Sequence, residues 1–215
     1  KATYLAGIDN VLNLAGDLGY TTFGERDRFG LSIVLGGGEV KLLEHVGAFA
    51  ALAQEGTRHE ITPILKIEDK NGKVIEEFKD KNKEVIKPEI ARLTTDILSD
   101  NNARTYIFGA NNKLILPGRP VAAKTGTTNN YRDGWTIGYT PSLAAGVWVG
   151  NSDNKEMKKG ADGSIIAAPI WNSFMLEALK NTAPEQFTKP EPIVTGKPML
   201  DGDISGVSKI KIDSM

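Results

Sequence analysis

The sequence predicts an α/β fold of the α+β type, in which an antiparallel sheet is flanked by helices. Three short runs rich in apolar and β-branched residues follow one another between residues 117 and 151, and turn residues separate them. Because the connections between these runs are short, we expect them to pair as neighbouring antiparallel strands. Longer segments elsewhere carry apolar residues at helical spacing, which predicts amphipathic helices.

Composition limits the functions that the chain can have. Its 215 residues are 40% hydrophobic and 25% charged, which suits one domain or a large part of one. A net charge of −1 argues against a nucleic-acid partner. The lack of cysteine excludes thiolate catalysis and disulfides, and two histidines are too few for a convincing metal cluster, so we expect neither a metal nor a cofactor. The chain begins with lysine and shows no signal peptide, so we interpret it as a piece of a longer protein.

The N-terminal part of the chain is predicted to consist mainly of helices. Residues 1–20 have helical periodicity, with a break at Gly7 and a stop at Gly19. Residues 21–35 are expected to form a loop. The helix that follows the glycines at 36–38 has an apolar stripe made of Leu42, Leu43, Val46, Phe49, Ala50 and Ala53.

A hairpin and another helix are predicted before the central strands. Apolar residues alternate between positions 59 and 78, around a turn at 69–72. The charged run 80–84 is expected to be solvated, and the Asn-rich stretch 99–113 is interpreted as a polar connection. Between them a helix is predicted from Pro88 to Leu98, with one face formed by Ile90, Leu93, Thr94 and Ile97.

The C-terminal part divides into a helix and an extension. The helix begins at Pro169, and its apolar residues indicate core packing: Ile170, Trp171, Phe174, Met175, Ala178 and Leu179. Prolines and glycines then become frequent. We therefore predict one domain portion over residues 1–181 and an irregular extension over 182–215.

The three central strands are predicted at Val121–Thr128, Trp135–Tyr139 and Leu143–Val149. Side chains alternate along a strand, so Lys124 shares a face with Ala122 and Gly126, while Thr125 and Thr127 share the other. A lysine, several hydroxyls and free backbone N–H groups would suit a substrate with a carboxylate and a carbonyl that becomes an oxyanion. An ordinary solvated strand has the same composition, so Lys-Thr-Gly alone decides nothing.

The wider context of this strand resembles a known family. Lys124–Thr128 is followed by Tyr131–Trp135, Gly138–Pro141 and Gly146–Gly150 at spacings that closely resemble the class A, bifunctional penicillin-binding proteins. The resemblance covers roughly residues 1–179. It implies a β-lactamase/transpeptidase-like fold that is incomplete at the N-terminus. It also implies a D,D-transpeptidase that cross-links peptidoglycan stem peptides and is acylated by β-lactam antibiotics.

The same resemblance implies roles for the strand residues. Lys124 would place positive charge beside the nucleophile, and the N–H of Thr127 would be one of two oxyanion donors, which makes these two residues the catalytic candidates. Thr125 and Thr127 would bind the peptide carboxylate, with Gly126 and Thr128 completing the substrate-binding stretch. The resemblance also implies a protein at the extracytoplasmic face of the bacterial membrane, with its anchor upstream of this chain.

The family's nucleophile is expected to be outside the chain. Its signatures come in the order Ser-x-x-Lys, Ser-x-Asn and Lys-Thr-Gly, and three triplets or quartets here imitate the first two, starting at Ser99, Ser152 and Ser208. The matches at Ser152 and Ser208 follow Lys124, so their order is wrong, and neither begins a buried helix. Ser99 is too close to Lys124 in sequence. The missing N-terminal part of the same protein is therefore expected to complete the domain.

Two other functions remain open at this stage. A penicillin-recognising sensor module would bind the same ligands without turnover, and the presence of an upstream Ser-x-x-Lys would separate it from the enzyme. Gly118 and Lys124-Thr125 also have the spacing of a nucleotide-binding P-loop. Ala123 occupies the position where that motif requires glycine, so the P-loop is the weaker hypothesis.

Overall fold

The computed structural model describes residues 1–192 and 194–197. Its α-helices are α1 (Ala2–Ala6), α2 (Ile8–Leu18), α3 (Leu42–Ala53), α4 (Pro88–Ser99), α5 (Asn101–Phe108), α6 (Gly163–Ile166) and α7 (Ala168–Leu179). Its strands are β1 (Thr57–His59), β2 (Lys66–Glu68), β3 (Val74–Glu77), β4 (Asn82–Glu84), β5 (Ala122–Thr127), β6 (Asp133–Tyr139) and β7 (Ala144–Gly150). Within these ranges, none of the helices is long and apolar enough to span a bilayer.

The central sheet has the predicted topology. Strands β5, β6 and β7 pair antiparallel in chain order, with β6 in the middle and β5 at one edge. Lys124 lies opposite Ile137, and Thr127 lies opposite Gly134. Residues directly opposite one another share a face of the sheet, so the predicted alternation of Lys124 and the threonines is confirmed.

Helices cover both faces of this sheet. Trp171 and Met175 of α7 are fully buried against one face, where the indole Nε1 of Trp171 donates to the carbonyl of Ala145 at 3.1 Å. On the other face the hydroxyls of Thr95 in α4 and Tyr139 in β6 form a buried hydrogen bond of 2.8 Å. The fold is therefore the mixed helix-and-sheet sandwich that the sequence predicts.

The predicted helix boundaries are confirmed in most places. Gly7 separates α1 from α2, and Gly19 ends α2 with φ 100°, a left-handed conformation that favours glycine. The interpretation of 99–113 as a connection is wrong, because α5 occupies much of it. The carboxylate of Asp100 accepts hydrogen bonds from the N–H groups of Asn102 and Ala103, and this N-cap begins the helix despite its polar composition.

Two smaller sheets lie between α3 and α4. Strands β2 and β3 form the predicted hairpin. The charged run 80–84 is exposed as expected, but it also contains β4, which pairs with β1. Local alternation could not predict this pairing, since the partner is more than 20 residues away in sequence. The predicted loop 21–35 contains two short 3-10 helices, Arg26–Arg28 and Leu31–Leu35.

The predicted apolar faces of three helices are only partly buried. In α4, Ile90 and Ile97 are exposed, whereas Ala91 and Thr95 are buried against the sheet. Small side chains let the helix approach the strands closely, and this rotates its larger residues outward. Other residues of the predicted apolar faces are exposed as well, namely Leu42 and Leu43 in α3 and Ile170, Phe174 and Ala178 in α7.

The described part of the predicted extension has no helix or strand, but it lies against the folded core. The guanidinium of Arg119 donates to the carbonyls of Leu179, Thr182 and Ala183. Farther along, the ring of Phe187 contacts Tyr139 with centroids 5.8 Å apart. The boundary at residue 181 stays a prediction, and residues 193 and 198–215 lie outside the described range.

Candidate active site

Among the described residues β5 pairs with a strand on one side only, and its other edge carries the predicted site residues. The N–H of Thr128 donates to the carbonyl of Asp133 at 3.1 Å, which makes this a hydrogen-bonded pair of the ladder. Hydrogen-bonded and non-hydrogen-bonded pairs alternate in an antiparallel sheet. With the observed register, Gly126 and Lys124 therefore bond to β6, whereas the N–H and carbonyl groups of Thr125 and Thr127 point to the open edge.

Lys124 lies along this edge. Its side chain is exposed to solvent, and its ammonium donates to the edge carbonyl of Thr125 at 2.5 Å. Surrounding protein atoms partly desolvate the ammonium and lower the pKa of Lys124 below its ordinary value. The structure thus places a cation at the same edge as the outward-pointing N–H groups of Thr125 and Thr127.

The opposite face of β5 presents the Thr127 hydroxyl. Its Oγ1 accepts a hydrogen bond of 3.0 Å from the N–H of Gly163, the first residue of α6. Thr125 lies on the same face, opposite the buried Thr136. The two predicted carboxylate-binding hydroxyls are therefore brought to one face, while Lys124 lies on the other.

A carboxylate fixes the end of the strand. The hydroxyl of Thr128 donates to Oδ2 of Asp133 at 2.8 Å and accepts from the N–H of Asp133 at 2.9 Å. The other oxygen of Asp133 accepts from the indole Nε1 of Trp148 at 2.8 Å. The hydroxyl of Thr128 thus already donates its proton and accepts one hydrogen bond within the protein. It therefore holds the strand end in place.

An aromatic cluster supports Gly126 from the Lys124 face. Trp135 lies opposite Gly126 in the ladder, and the ring of His45 meets the Trp135 indole edge-on with centroids 5.7 Å apart. Nδ1 of His45 lies 2.5 Å from the Tyr20 hydroxyl. Burial lowers the pKa of His45 and raises the pKa of Tyr20 to about 12, so both groups are neutral near pH 7.

Sequence reasoning did not assign His45, Tyr20 or Gly163 to this region. His45 and Tyr20 belong to the N-terminal third of the chain, and no local periodicity indicates that α3 packs against Trp135. Gly163 begins a helix of only four residues, too short for a periodic signal in the sequence. Only the tertiary arrangement shows these contacts.

Two of the three serines that match the family's signatures lie in the described part of the chain, and neither has the setting of a nucleophile. Ser99 ends α4, where its hydroxyl donates to the carbonyl of Asp96 at 3.2 Å. Ser152 is exposed in the turn after β7, and Lys155 pairs with Asp153 at 2.6 Å instead. Ser208 lies outside the described residues. The P-loop hypothesis is wrong, because Lys124 and Thr125 are inside a strand and do not begin a helix.

Comparison with known families agrees with this geometry. The family model for the penicillin-binding protein transpeptidase domain matches residues 24–176. The chain therefore belongs to the penicillin-binding protein transpeptidase family, and within it to the class A, penicillin-binding protein 1A type. The resemblance that the Lys-Thr-Gly context indicates is confirmed.

Individual relatives are similar over most of this chain. It is 34% identical to penicillin-binding protein 1A of Aquifex aeolicus and 37% identical to penicillin-binding protein 2D of Bacillus subtilis, covering 74% and 77% of the chain. It spans only 21% and 24% of the length of those proteins. The solved structure of PonA1 from Mycobacterium tuberculosis in complex with penicillin V has a TM-score of 0.73 and 30% identity, covering 87% of this chain and 54% of that one.

Proposed function

We propose that this chain supplies the Lys-Thr-Gly strand of a serine-type D,D-transpeptidase that cross-links peptidoglycan stem peptides. One observation carries the proposal: the edge of β5 presents the outward N–H of Thr127, and the Lys124 ammonium lies at the same edge on the carbonyl of Thr125. An outward N–H with a nearby cation suits a carbonyl oxygen that becomes negatively charged during acyl transfer.

The strand residues then have separate roles. Lys124 provides positive charge near the attacking serine, and partial desolvation lowers its pKa. The N–H of Thr127 is one oxyanion donor. The hydroxyls of Thr125 and Thr127 bind the substrate carboxylate, Gly126 allows the substrate backbone to approach, and Thr128 fixes the strand end through Asp133.

The nucleophilic serine is proposed to lie ahead of Lys124 in the natural protein and outside these residues, because Ser99 and Ser152 have unsuitable settings and Ser208 follows Lys124 in the sequence. β-Lactams would acylate that serine, as the penicillin V complex of the similar PonA1 suggests. We further propose that the natural protein works at the extracytoplasmic face of the bacterial membrane, held by an anchor in another part of it.

Labelling of the natural full-length protein by a fluorescent penicillin tests the proposed role of Lys124. We expect Lys124→Ala to lower the labelling rate at least roughly a hundredfold, the scale of a lost acid–base or electrostatic group, with an unchanged melting curve. Lys155→Ala is the matched control, since it removes the lysine of the Ser152 quartet and should leave labelling unchanged. Wild-type labelling of Lys124→Ala would remove Lys124 from the site, and reversible binding without labelling in the unmodified protein would favour a sensor module.

A further inference from the structure

Helix α6 lies directly on the strand that carries the proposed site. Gly163 is buried, and a Cβ atom added there would come within 2.4 Å of the carbonyl oxygens of both Gly126 and Trp135. Real Cβ atoms do not approach backbone atoms so closely, and carbonyl oxygens inside a ladder cannot move aside like a flexible side chain. Any larger residue at 163 would therefore displace α6 or the strand pair.

A second glycine makes the same approach possible. Gly134 lies opposite Thr127, and an added Cβ there would come within 2.6 Å of the Ile166 side chain. The close approach of α6 to the strands thus depends on Gly163 at its beginning and on Gly134 of β6 beneath its end. On the other face of the sheet Trp135 packs against His45, so the strand end is held between α6 and this aromatic pair.

The backbone of Gly163 also orients the Thr127 hydroxyl. Its N–H donates to Thr127 Oγ1 at 3.0 Å. A hydroxyl oxygen that accepts from a fixed N–H keeps its own proton for another acceptor. A carboxylate can only accept, so the hydroxyl is pre-oriented as a donor for an anionic carboxylate.

We propose that Gly163 is a positioning residue of the transpeptidase site, which holds Thr127 so that its hydroxyl selects substrates carrying a free carboxylate. It acts through Thr127 and does not touch the substrate. This inference rests on the proposed function and adds to it a residue that none of the three family signatures contains.

The test compares acylation of the natural full-length protein by benzylpenicillin and by benzylpenicillin methyl ester, which lacks the free carboxylate. We expect Gly163→Ala to lower the rate constant for benzylpenicillin by roughly tenfold to a hundredfold, since misplacing a group by about 1 Å has effects of this size. The ratio of the rate constant for the acid to that for the ester should fall toward the ratio measured for Thr127→Val. In the Thr127→Val background, Gly163→Ala should change this ratio no further. Ser164→Ala, one position along α6, is the matched control and should behave like the unmodified protein.

The outcomes separate the two proposals. If the unmodified protein is not acylated at all, the proposed function fails. If it is acylated and Gly163→Ala either has no effect or slows acid and ester equally, the role of Gly163 is structural only and this inference is overturned.

Amide hydrogen exchange provides a readout that does not depend on the folding of Gly163→Ala. In Thr127→Val, the Gly163 amide should exchange about tenfold faster than in the unmodified protein, because it has lost its acceptor. Unchanged protection of this amide would show that the contact does not hold Thr127.

Discussion

The carboxylate of Asp133 connects the end of β5 to β7, and its removal should destabilise the domain measurably. It accepts from the Thr128 hydroxyl and from the Trp148 indole, both at 2.8 Å. A hydrogen bond to a charged group contributes about 1.5–3 kcal/mol to stability, but Trp148 is 39% exposed and can bond to water after the change. We therefore expect Asp133→Ala to lower the free energy of unfolding by about 2–3 kcal/mol in total.

Calorimetry of the natural protein measures this effect. At about 2–4 °C per kcal/mol for a domain of this size, the melting temperature should fall by roughly 4–12 °C. Asp133→Asn is the matched control, since it retains one carbonyl acceptor of the same shape and should lose about half as much. A shift of less than about 1 °C in Asp133→Ala would refute the reasoning, because the network would then contribute nothing to the strand end.

Two further predictions concern groups buried behind the sheet. A double-mutant cycle with Thr95→Val and Tyr139→Phe should give a coupling free energy of about 1 kcal/mol from their buried 2.8 Å hydrogen bond, and additive effects in urea unfolding would contradict it. Burial lowers the pKa of His45 in the folded state. The contribution of neutral His45 to the free energy of unfolding should therefore be fully present above the ordinary pKa of 6.5, and it should be lost as the pH falls toward the lower folded value. His45→Gln should flatten this dependence, and the same slope in both proteins would show that another group causes it.

The sequence predicts the central sheet and the site strand well because their signals are local. Turn residues bound the strands, alternation assigns Lys124 and Thr127 to opposite faces, and Gly19 ends its helix through a left-handed conformation. The structure confirms each of these. They depend on neighbours within a few residues, which is the range over which backbone preferences act.

Features that depend on tertiary packing could not be predicted in the same way. The sequence places Ile90 and Ile97 on one apolar face of α4, but close approach through Ala91 buries that smaller residue and leaves the isoleucines exposed. The contact of His45 with Trp135, and the hydrogen bond from Gly163 to Thr127, join segments about 90 and 36 residues apart. Nothing in the local pattern around His45 or Gly163 indicates these partners.

The location of the penicilloyl adduct tests the central proposal most directly. The natural full-length protein is incubated with benzylpenicillin, its intact mass is measured, and the modified peptide is identified. The account predicts one drug-sized mass increase on a serine that precedes Lys124 and lies outside these 215 residues, and no adduct when the 215 residues are treated alone. An adduct on Ser99, Ser152 or Ser208 would contradict it, because one of these serines would then be the nucleophile.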